Sequence, residues 1–170
     1  MLRLRPYKKC DAQQIAGWIK SEYAFRQWCA DRYESYPLKA EDINAHYEAV
    51  ADSDSFYEMT AFDESGTVGH LVMRFVDDEK SVLRFGFVIV DDNKRGKGYG
   101  KEMLLLAQKY AFEILRVKKI TLGVFENNTA ALNCYKAAGF RQIETAEKES
   151  YVILGETWEC IEMEIGAPRS

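Results

Sequence analysis

The sequence predicts a single mixed α/β domain over residues 1–170, with a central sheet of about seven strands and helices on both of its faces. Three observations support this fold class. The chain up to residue 76 contains three stretches typical of strands in an antiparallel sheet. An apolar run, Val82–Val90, is followed by a glycine-rich turn and a helical pattern. A second strand and helix come next, and the order strand, helix, strand predicts a locally parallel pair.

The first fifty residues are expected to contribute one strand and two helices. Residues 2–5 alternate like a first strand, and Asp11 is placed to cap a helix through residue 19. An aromatic and acidic tract, 22–36, separates this helix from a second one at about 41–50. We expect this tract to connect the two helices.

The rest of the chain is expected to alternate strands with turns and two further helices. Two pairs of strands are predicted to form hairpins, 56–62 with 68–76 and 141–149 with 158–165. Between them, a helix at 99–114 and a strand at 119–125 follow the glycine-rich turn. Gly139 is placed to end the last helix, with Phe140 folding back onto its final turn.

The composition limits the class of function. A net charge of −4 and a pI near 5.3 argue against a general nucleic-acid binder, which needs concentrated positive charge. The amino terminus has no apolar signal core, and no run of about 18 apolar residues occurs. We therefore expect a soluble, cytoplasmic protein without a membrane partner.

The cysteines and histidines give no metal pattern. Cysteines occur at 10, 29, 134 and 160 without any Cys-x-x-Cys spacing, and only two histidines are present. We therefore expect reduced thiols and no bound metal. Cys134 is either a reactive thiol or a small buried one, and burial on a helix is favoured. His70 is either a base or a packed strand residue, and packing is favoured.

The turn at residues 91–101 has the composition of an anion site. Gly96, Gly98 and Gly100 let the backbone turn sharply and leave amide N–H groups exposed at a helix start. Those amides, the helix dipole and four nearby cations favour a bound anion. The cations are Lys94, Arg95, Lys97 and Lys101.

Spacing excludes two familiar phosphate loops. The nucleotide-triphosphate loop needs a glycine where Arg95 stands and a hydroxyl where Glu102 stands. The dinucleotide fingerprint needs its third glycine at the position of Lys101. What remains is an Arg-x-x-Gly-x-Gly pattern at Arg95, Gly98 and Gly100, directly after a strand.

A second pattern follows the 119–125 strand. It is Asn-x-x-Ala-x-x-x-Tyr-x-x-x-Gly-Phe, matched at Asn128, Ala131, Tyr135, Gly139 and Phe140. In this order, the two patterns resemble the GNAT superfamily of acetyl-CoA-dependent N-acetyltransferases. The resemblance covers roughly residues 55–165 and is specific between 82 and 140.

The resemblance implies transfer of an acetyl group from acetyl-CoA to a primary amine of a small molecule or peptide, by direct attack in a ternary complex. It implies that loop amides hold the pyrophosphate, while the backbone of the preceding strand contacts the pantetheine arm and donates to the thioester oxygen. Asn128 is expected to cap its helix and to touch the cofactor arm. The expected cofactor-binding residues are Val88, Ile89, Val90, Arg95, Gly96, Lys97, Gly98, Tyr99, Gly100, Lys101, Asn128 and Tyr135.

By the same resemblance, Tyr135 is the general acid that protonates the departing thiolate, and its other interpretation is a core tyrosine. The general base is left open. Some members of the superfamily carry a glutamate on the fourth or fifth strand, but here the run 82–90 has no carboxylate and the other position is Gly123. This departure argues against a protein amino-terminal acetylator. Glu126 and Glu58 are the candidate bases, beside a chain of waters.

The acceptor and the role of the domain have alternatives. The aromatic and acidic stretch 18–47 favours a cationic acceptor, unless its aromatics are core and its acids are surface. The protein could instead be a non-catalytic CoA-binding regulatory module on the same fold, or an interaction domain whose glycine loop is only a tight turn. A homodimer is also left open.

Overall fold

The computed structural model describes residues 1–169, and within them it contains eight strands and five α-helices. The strands are β1 (Arg3–Pro6), β2 (Phe56–Asp63), β3 (Gly66–Phe75), β4 (Val82–Val90), β5 (Lys119–Phe125), β6 (Arg141–Ile143), β7 (Ser150–Ile153) and β8 (Glu156–Gly166). The helices are α1 (Asp11–Gly17), α2 (Glu22–Cys29), α3 (Ala40–Glu48), α4 (Tyr99–Lys109) and α5 (Thr129–Ala137). The predicted mixed α/β class is confirmed, with one strand more than expected.

The sheet has the order β1-β2-β3-β4-β5-β8-β6, and β7 pairs with β8 outside this path. The described strand pairs are antiparallel except β4 and β5, which are parallel because α4 carries the chain back between them. The predicted parallel pair is therefore confirmed. Among residues 1–169, no helix combines the length and the apolar character needed to cross a bilayer.

The ladder between β4 and β5 is short. Only Val82–Arg84 pairs with residues 119–121 of β5. Beyond Arg84 the two strands run on without pairing, although both continue for several residues. The sheet therefore opens between the ends of β4 and β5.

β4 also bulges against β3 close to this opening. Gly86 lies opposite Val72. Ile89 lies opposite His70, so this interval contains one more residue on β4 than on β3. Phe87 lies within the bulge and has a φ of 50°, in the left-handed region. The bulge turns the backbone of β4 just where it loses its β5 partner.

Helices cover both faces of the sheet, as predicted. α4 and α5 pack over one face, where the core includes Met73 and Leu104. α1, α2 and α3 pack over the other, where the core includes Phe25, Ile43 and Val72. Successive strand residues point to opposite faces, so Val72 and Met73 belong to different cores.

One helix was not predicted. Residues 22–29, expected to be part of a connecting tract, form α2, and the Ser21 hydroxyl caps it by accepting from the Ala24 amide at 3.0 Å. Its buried side is narrow and consists of Phe25 and Cys29, one helical turn apart. The exposed aromatic Tyr23 obscures this short apolar stripe in the sequence.

Asp11 does not cap α1 as expected, but it joins three parts of the chain. It is the first helical residue, and its carboxylate is buried. It accepts from Arg5 at 2.8 and 2.9 Å, from the Lys8 amide at 2.8 Å and from the Thr60 hydroxyl at 2.9 Å. The position of the Asp11 side chain is therefore determined by Arg5, Lys8 and Thr60, and not by the amides of α1.

The predicted closing hairpin is only partly right. Within 141–149 only Arg141–Ile143 forms a strand, and it pairs with the distant half of β8. The tight hairpin joins β7 to β8 through Leu154 and Gly155, whose φ values are 52° and 77°. Leucine rarely occupies such a turn position, so the sequence gives no turn signal there.

Candidate active site

The glycine-rich turn has the shape that its glycines suggested. After β4 the chain makes one 3₁₀ turn and then enters α4. Gly96 and Gly98 have φ values of 76° and 85°, which side chains rarely tolerate. At Gly100 the constraint is space, because a Cβ there would lie 3.0 Å from Cys134 Sγ on α5. Geometry therefore favours glycine at all three positions.

The backbone N–H groups of residues 95–101 are free to bind an anion. None of them donates to an acceptor within the described chain, residues 1–169. They lie at the start of α4, where the helix dipole adds partial positive charge. Arg95, Lys97 and Lys101 form no ion pair with residues 1–169. A phosphate group is the type of ligand that such a helix start binds.

Side chains fasten this turn to the β2–β3 hairpin. The Tyr99 hydroxyl donates to Asp63 Oδ2 at 2.9 Å, and Lys94 donates to the Ser65 hydroxyl. Hydrogen bonds from Ser65 and Tyr99 lower the pKa of Asp63 to about 2. The side chain of Tyr99 is thus engaged with the hairpin, while its amide stays available. The sequence did not indicate this anchoring.

The end of β4 offers open backbone beside the turn. Val88 and Val90 are half-buried against the α4–α5 core, and Ile89 is buried in the core of the other face. Because pairing with β5 stops at Arg84, the β4 edge beyond it has no strand neighbour. An extended ligand could therefore pair with this edge as a strand would.

Asn128 is the N-cap of α5 and Tyr135 lies on this helix, as the second pattern predicted. Asn128 Oδ1 accepts from the Ala131 amide at 3.3 Å, which confirms the cap. The Tyr135 ring packs edge-on against Phe140, and its hydroxyl has no hydrogen-bond partner within residues 1–169. Burial raises the pKa of Tyr135 well above its ordinary value, so the phenol stays protonated. The structure is compatible with both a packing role and a proton-donor role.

A cleft of about 420 Å³ opens where β4 and β5 diverge, bordered also by α2, β3 and β8. Its aromatic lining consists of Trp28, Phe56, Phe85, Phe87, Phe125 and Tyr151. Its charged and imidazole lining consists of Arg32, His46, Arg74, Arg84 and Glu149. α2 thus supplies one wall of the cleft, but the acidic residues of 18–47, which favoured a cationic acceptor, do not line it. Its cations are guanidinium groups.

The candidate bases lie in different places. Glu126 is exposed at the end of β5 and does not line the cleft. Glu58 borders a separate groove near β1, and burial raises its pKa. Glu149, which sequence reasoning missed, does line the cleft, and its Oε1 accepts from the Tyr151 hydroxyl at 2.8 Å. No motif marks Glu149, because it comes from the irregular segment before β7.

His70 and Cys134, the two other residues with alternative interpretations, both pack against neighbouring groups, although Cys134 is only half-buried. His70 is fully buried, and its Nε2 lies 2.6 Å from the Tyr47 hydroxyl. Burial lowers the pKa of His70 to about 3, so the ring is neutral. Burial raises the pKa of Cys134, which therefore remains a thiol packed against Gly100.

Comparison with known proteins agrees with this geometry. The model of the acetyltransferase (GNAT) family matches residues 21–140, more than half of the chain. The acetyltransferase PseH of Campylobacter jejuni is 27% identical over 157 residues, covering 90% of this chain and 92% of that protein. A spermidine N(1)-acetyltransferase of Vibrio cholerae is 24% identical over 139 residues, covering 82% and 78%.

Solved structures share the fold. The crystal structure of a spermidine N-acetyltransferase from Vibrio cholerae, in complex with CoA and spermine, superposes with a TM-score of 0.81 at 22% identity, covering 97% of this chain and 95% of that one. The match extends over the sheet and the helices on both faces. With the glycine-rich turn, the open β4 edge and the family match to residues 21–140, the chain belongs to the GNAT family and is an acetyltransferase.

Proposed function

We propose that this enzyme transfers the acetyl group of acetyl-CoA to a primary amine, which attacks the thioester directly in a ternary complex. The observation that carries the proposal is the run of unpartnered amides at residues 95–101 beside the open edge of β4. A related fold whose crystal structure contains CoA and spermine supports the choice of cofactor and of an amine.

The cofactor would be held mainly by backbone. The amides of residues 95–101 would bind the pyrophosphate, and Arg95, Lys97 and Lys101 would add positive charge. The pantetheine arm would lie along Val88–Val90, and Asn128 would touch it. One amide of this β4 stretch would donate to the thioester oxygen as negative charge develops, which is worth about 3 kcal/mol in the transition state.

Tyr135 would protonate the leaving thiolate. Its raised pKa keeps the phenol protonated at neutral pH, and its hydroxyl has no protein partner among residues 1–169 to compete with the sulfur. Proton donation at the moment of cleavage prevents reversal by the thiolate.

The acceptor amine must lose a proton before or during attack. We propose Glu149 for this step, directly or through water, because it is a carboxylate that lines the cleft. Glu126, the candidate from the sequence, would have to act through a longer chain of waters. Glu149→Gln should lower kcat/KM most at low pH, where little free amine exists, while Glu126→Gln should not.

The test of this function is release of free CoA thiol from acetyl-CoA in the presence of an amine panel. Amine-dependent release at a rate well above hydrolysis would support catalysis. Tight acetyl-CoA binding without release for any amine would indicate the regulatory module instead.

Three expectations from the sequence stay proposals. We propose that residues 1–170 form one domain, since strands from both ends of the described chain share one sheet. A cytoplasmic location and a homodimer would be tested by cell fractionation and by light scattering.

A further inference from the structure

Two arginines face each other in the wall of the cleft. Arg74 on β3 and Arg84 on β4 are cross-strand partners, so their side chains leave the sheet on the same face. Both line the cleft. Like charges directly opposite in a sheet destabilise it, so this pair needs a compensating anion.

Arg84 has such an anion within the protein. Its guanidinium forms a two-pronged ion pair with Glu162 on β8 and donates to the Thr121 hydroxyl at 3.2 Å. Both side chains of the ion pair are only about a fifth exposed, at 22% and 21%. Glu162 is therefore committed to Arg84 and does not serve Arg74.

Arg74 has no such partner. It is half-buried, and within residues 1–169 it forms neither an ion pair nor a hydrogen bond nor a stacking contact with an aromatic ring. Burial lowers the pKa of Arg74, and the charges of Arg84 and Arg32 lower it further. A half-buried guanidinium without an anion costs stability, and function is the usual reason to retain it.

A second hydrogen-bond donor without an acceptor lies in the same wall. Trp28 lines the cleft, and its indole N–H is buried without an acceptor in the described chain. An indole N–H can only donate, so it needs an oxygen or nitrogen acceptor. Two donors, one charged and one neutral, thus lack acceptors beside one cavity.

The charge of the cleft is opposite to what a polyamine needs. Arg32 and Arg74 contribute unpaired positive charge, and Glu149 is the carboxylate that lines the cavity. The chain as a whole has a net charge of −4, so this positive charge is local. A polycation would gain from Glu149 and lose against Arg74, and such a juxtaposition rejects wrong ligands.

We propose that the acceptor is a small amine that also carries a carboxylate, with its amine near Glu149 and its carboxylate on Arg74. This inference rests on the proposed acetyl transfer and defines the substrate class. The planar fork of a guanidinium matches a carboxylate in two parallel hydrogen bonds. The lining rings of Trp28, Phe87, Phe125 and Tyr151 favour an apolar or aromatic side chain on this amino carboxylate.

The test compares amines that differ only in the carboxylate. Phenylalanine with phenethylamine, leucine with isoamylamine and lysine with cadaverine form matched pairs, and spermidine is added. For wild-type protein, kcat/KM in the CoA-release assay, calculated on the concentration of unprotonated amine, should be at least about tenfold higher for the amino acid of a preferred pair. Equal or higher values for the decarboxylated amines or for spermidine would overturn the inference and leave acetyl transfer intact.

Substitutions test whether Arg74 causes the preference for an amine that carries a carboxylate. Arg74→Gln should reduce the ratio between amino acid and decarboxylated amine at least about fivefold, and Arg74→Lys should retain part of it. Arg141→Gln, which removes an exposed arginine on β6, should leave the ratio unchanged. Comparing this ratio between variant and wild type at one pH cancels the difference in amine pKa within each pair. The melting temperature of Arg74→Gln should stay equal or rise, since a repulsion is removed.

A binding measurement covers the case in which no panel amine turns over. N-acetylphenylalanine and N-acetylphenethylamine would be titrated into the CoA-bound protein. Tighter binding of the carboxylate compound, lost in Arg74→Gln, would support the inference, and failure of both to bind at millimolar concentration would overturn it. Failure of acetyl-CoA itself to bind would instead contradict the proposed function.

Discussion

A guanidinium nitrogen of Arg84 lies 2.9 Å from the position that a Cβ on Gly123 would take. Cys160 Sγ lies equally close to the same point, at 2.9 Å. The wall between β4 and β5 therefore accommodates the Arg84–Glu162 ion pair only because residue 123 has no side chain. The same glycine leaves this position of β5 without a carboxylate, so the proposed base comes from another segment.

Gly123→Ala tests this packing. The added methyl group must displace Arg84 or Cys160, and we expect a loss of about 1–3 kcal/mol in the free energy of unfolding. Gly86→Ala is the matched control, because a Cβ on this β4 glycine meets nothing within 4 Å. Guanidinium chloride unfolding of both variants measures the difference. Equal stability of the two would contradict the crowding at Gly123.

Two substitutions at Gly98 separate charge from conformation. Asparagine and aspartate both tolerate the left-handed φ of 85° better than other residues, but only aspartate adds negative charge beside the amides. Gly98→Asp should bind acetyl-CoA at least about tenfold more weakly than Gly98→Asn. Calorimetric titration measures both. Equal affinities of the two variants for acetyl-CoA would contradict the assignment of this turn as the phosphate-binding site.

Tyr135→Phe tests the proton donor. The ring packing is kept and the hydroxyl is lost, so kcat should fall about a hundredfold while acetyl-CoA affinity stays within about twofold. Tyr110→Phe is the control and should have wild-type kinetics, because Tyr110 follows α4, packs beside Tyr57 and lines the separate groove rather than the cleft. Wild-type turnover in Tyr135→Phe would contradict the proton-donor role and show that Tyr135 serves only in packing.

Asp11 should make the fold sensitive to acid. Burial disfavours its charged form, but hydrogen bonds from Arg5, Lys8 and Thr60 outweigh this effect and lower its pKa. A carboxylate with a lowered native pKa stabilises the fold at pH values above its unfolded pKa of about 3.9, and this contribution is lost as the pH falls through the native value.

Asp11→Asn should therefore cost about 3–5 kcal/mol in urea unfolding at pH 7, because it leaves the Arg5 charge unpaired. The difference from wild type should shrink as the pH falls below about 4. Asp54→Asn removes a carboxylate from an exposed pair with Lys80 and should leave the free energy of unfolding close to the wild-type value. A loss at Asp11 that does not vary with pH would point to packing rather than charge.

The parts of the fold that the sequence reveals are those determined locally. The run from β4 through the turn into α4 has a buried strand, conformationally required glycines and a helical period in one continuous stretch, and β5 and α5 repeat this pattern. α2 was missed because its buried face is only two residues wide. The β7–β8 turn was missed because Leu154 occupies a position that usually belongs to glycine or asparagine.

The acceptor cleft could not be predicted, because it depends on register and long-range contact. Arg74 and Arg84 lie ten residues apart in the sequence, and only the observed pairing of β3 with β4 makes them neighbours. Glu162, which pairs with Arg84, comes from the last strand. Glu149 reaches the cleft from a segment without regular structure. No local pattern records any of these relationships.

The most direct test of the central claim is calorimetric titration of the purified protein with acetyl-CoA and, separately, with ATP. The unpartnered amides of residues 95–101 and the open edge of β4 predict micromolar binding of acetyl-CoA and much weaker binding of ATP, which lacks the pantetheine arm. Absence of acetyl-CoA binding at millimolar concentration would contradict the assignment of this turn and strand as the cofactor site.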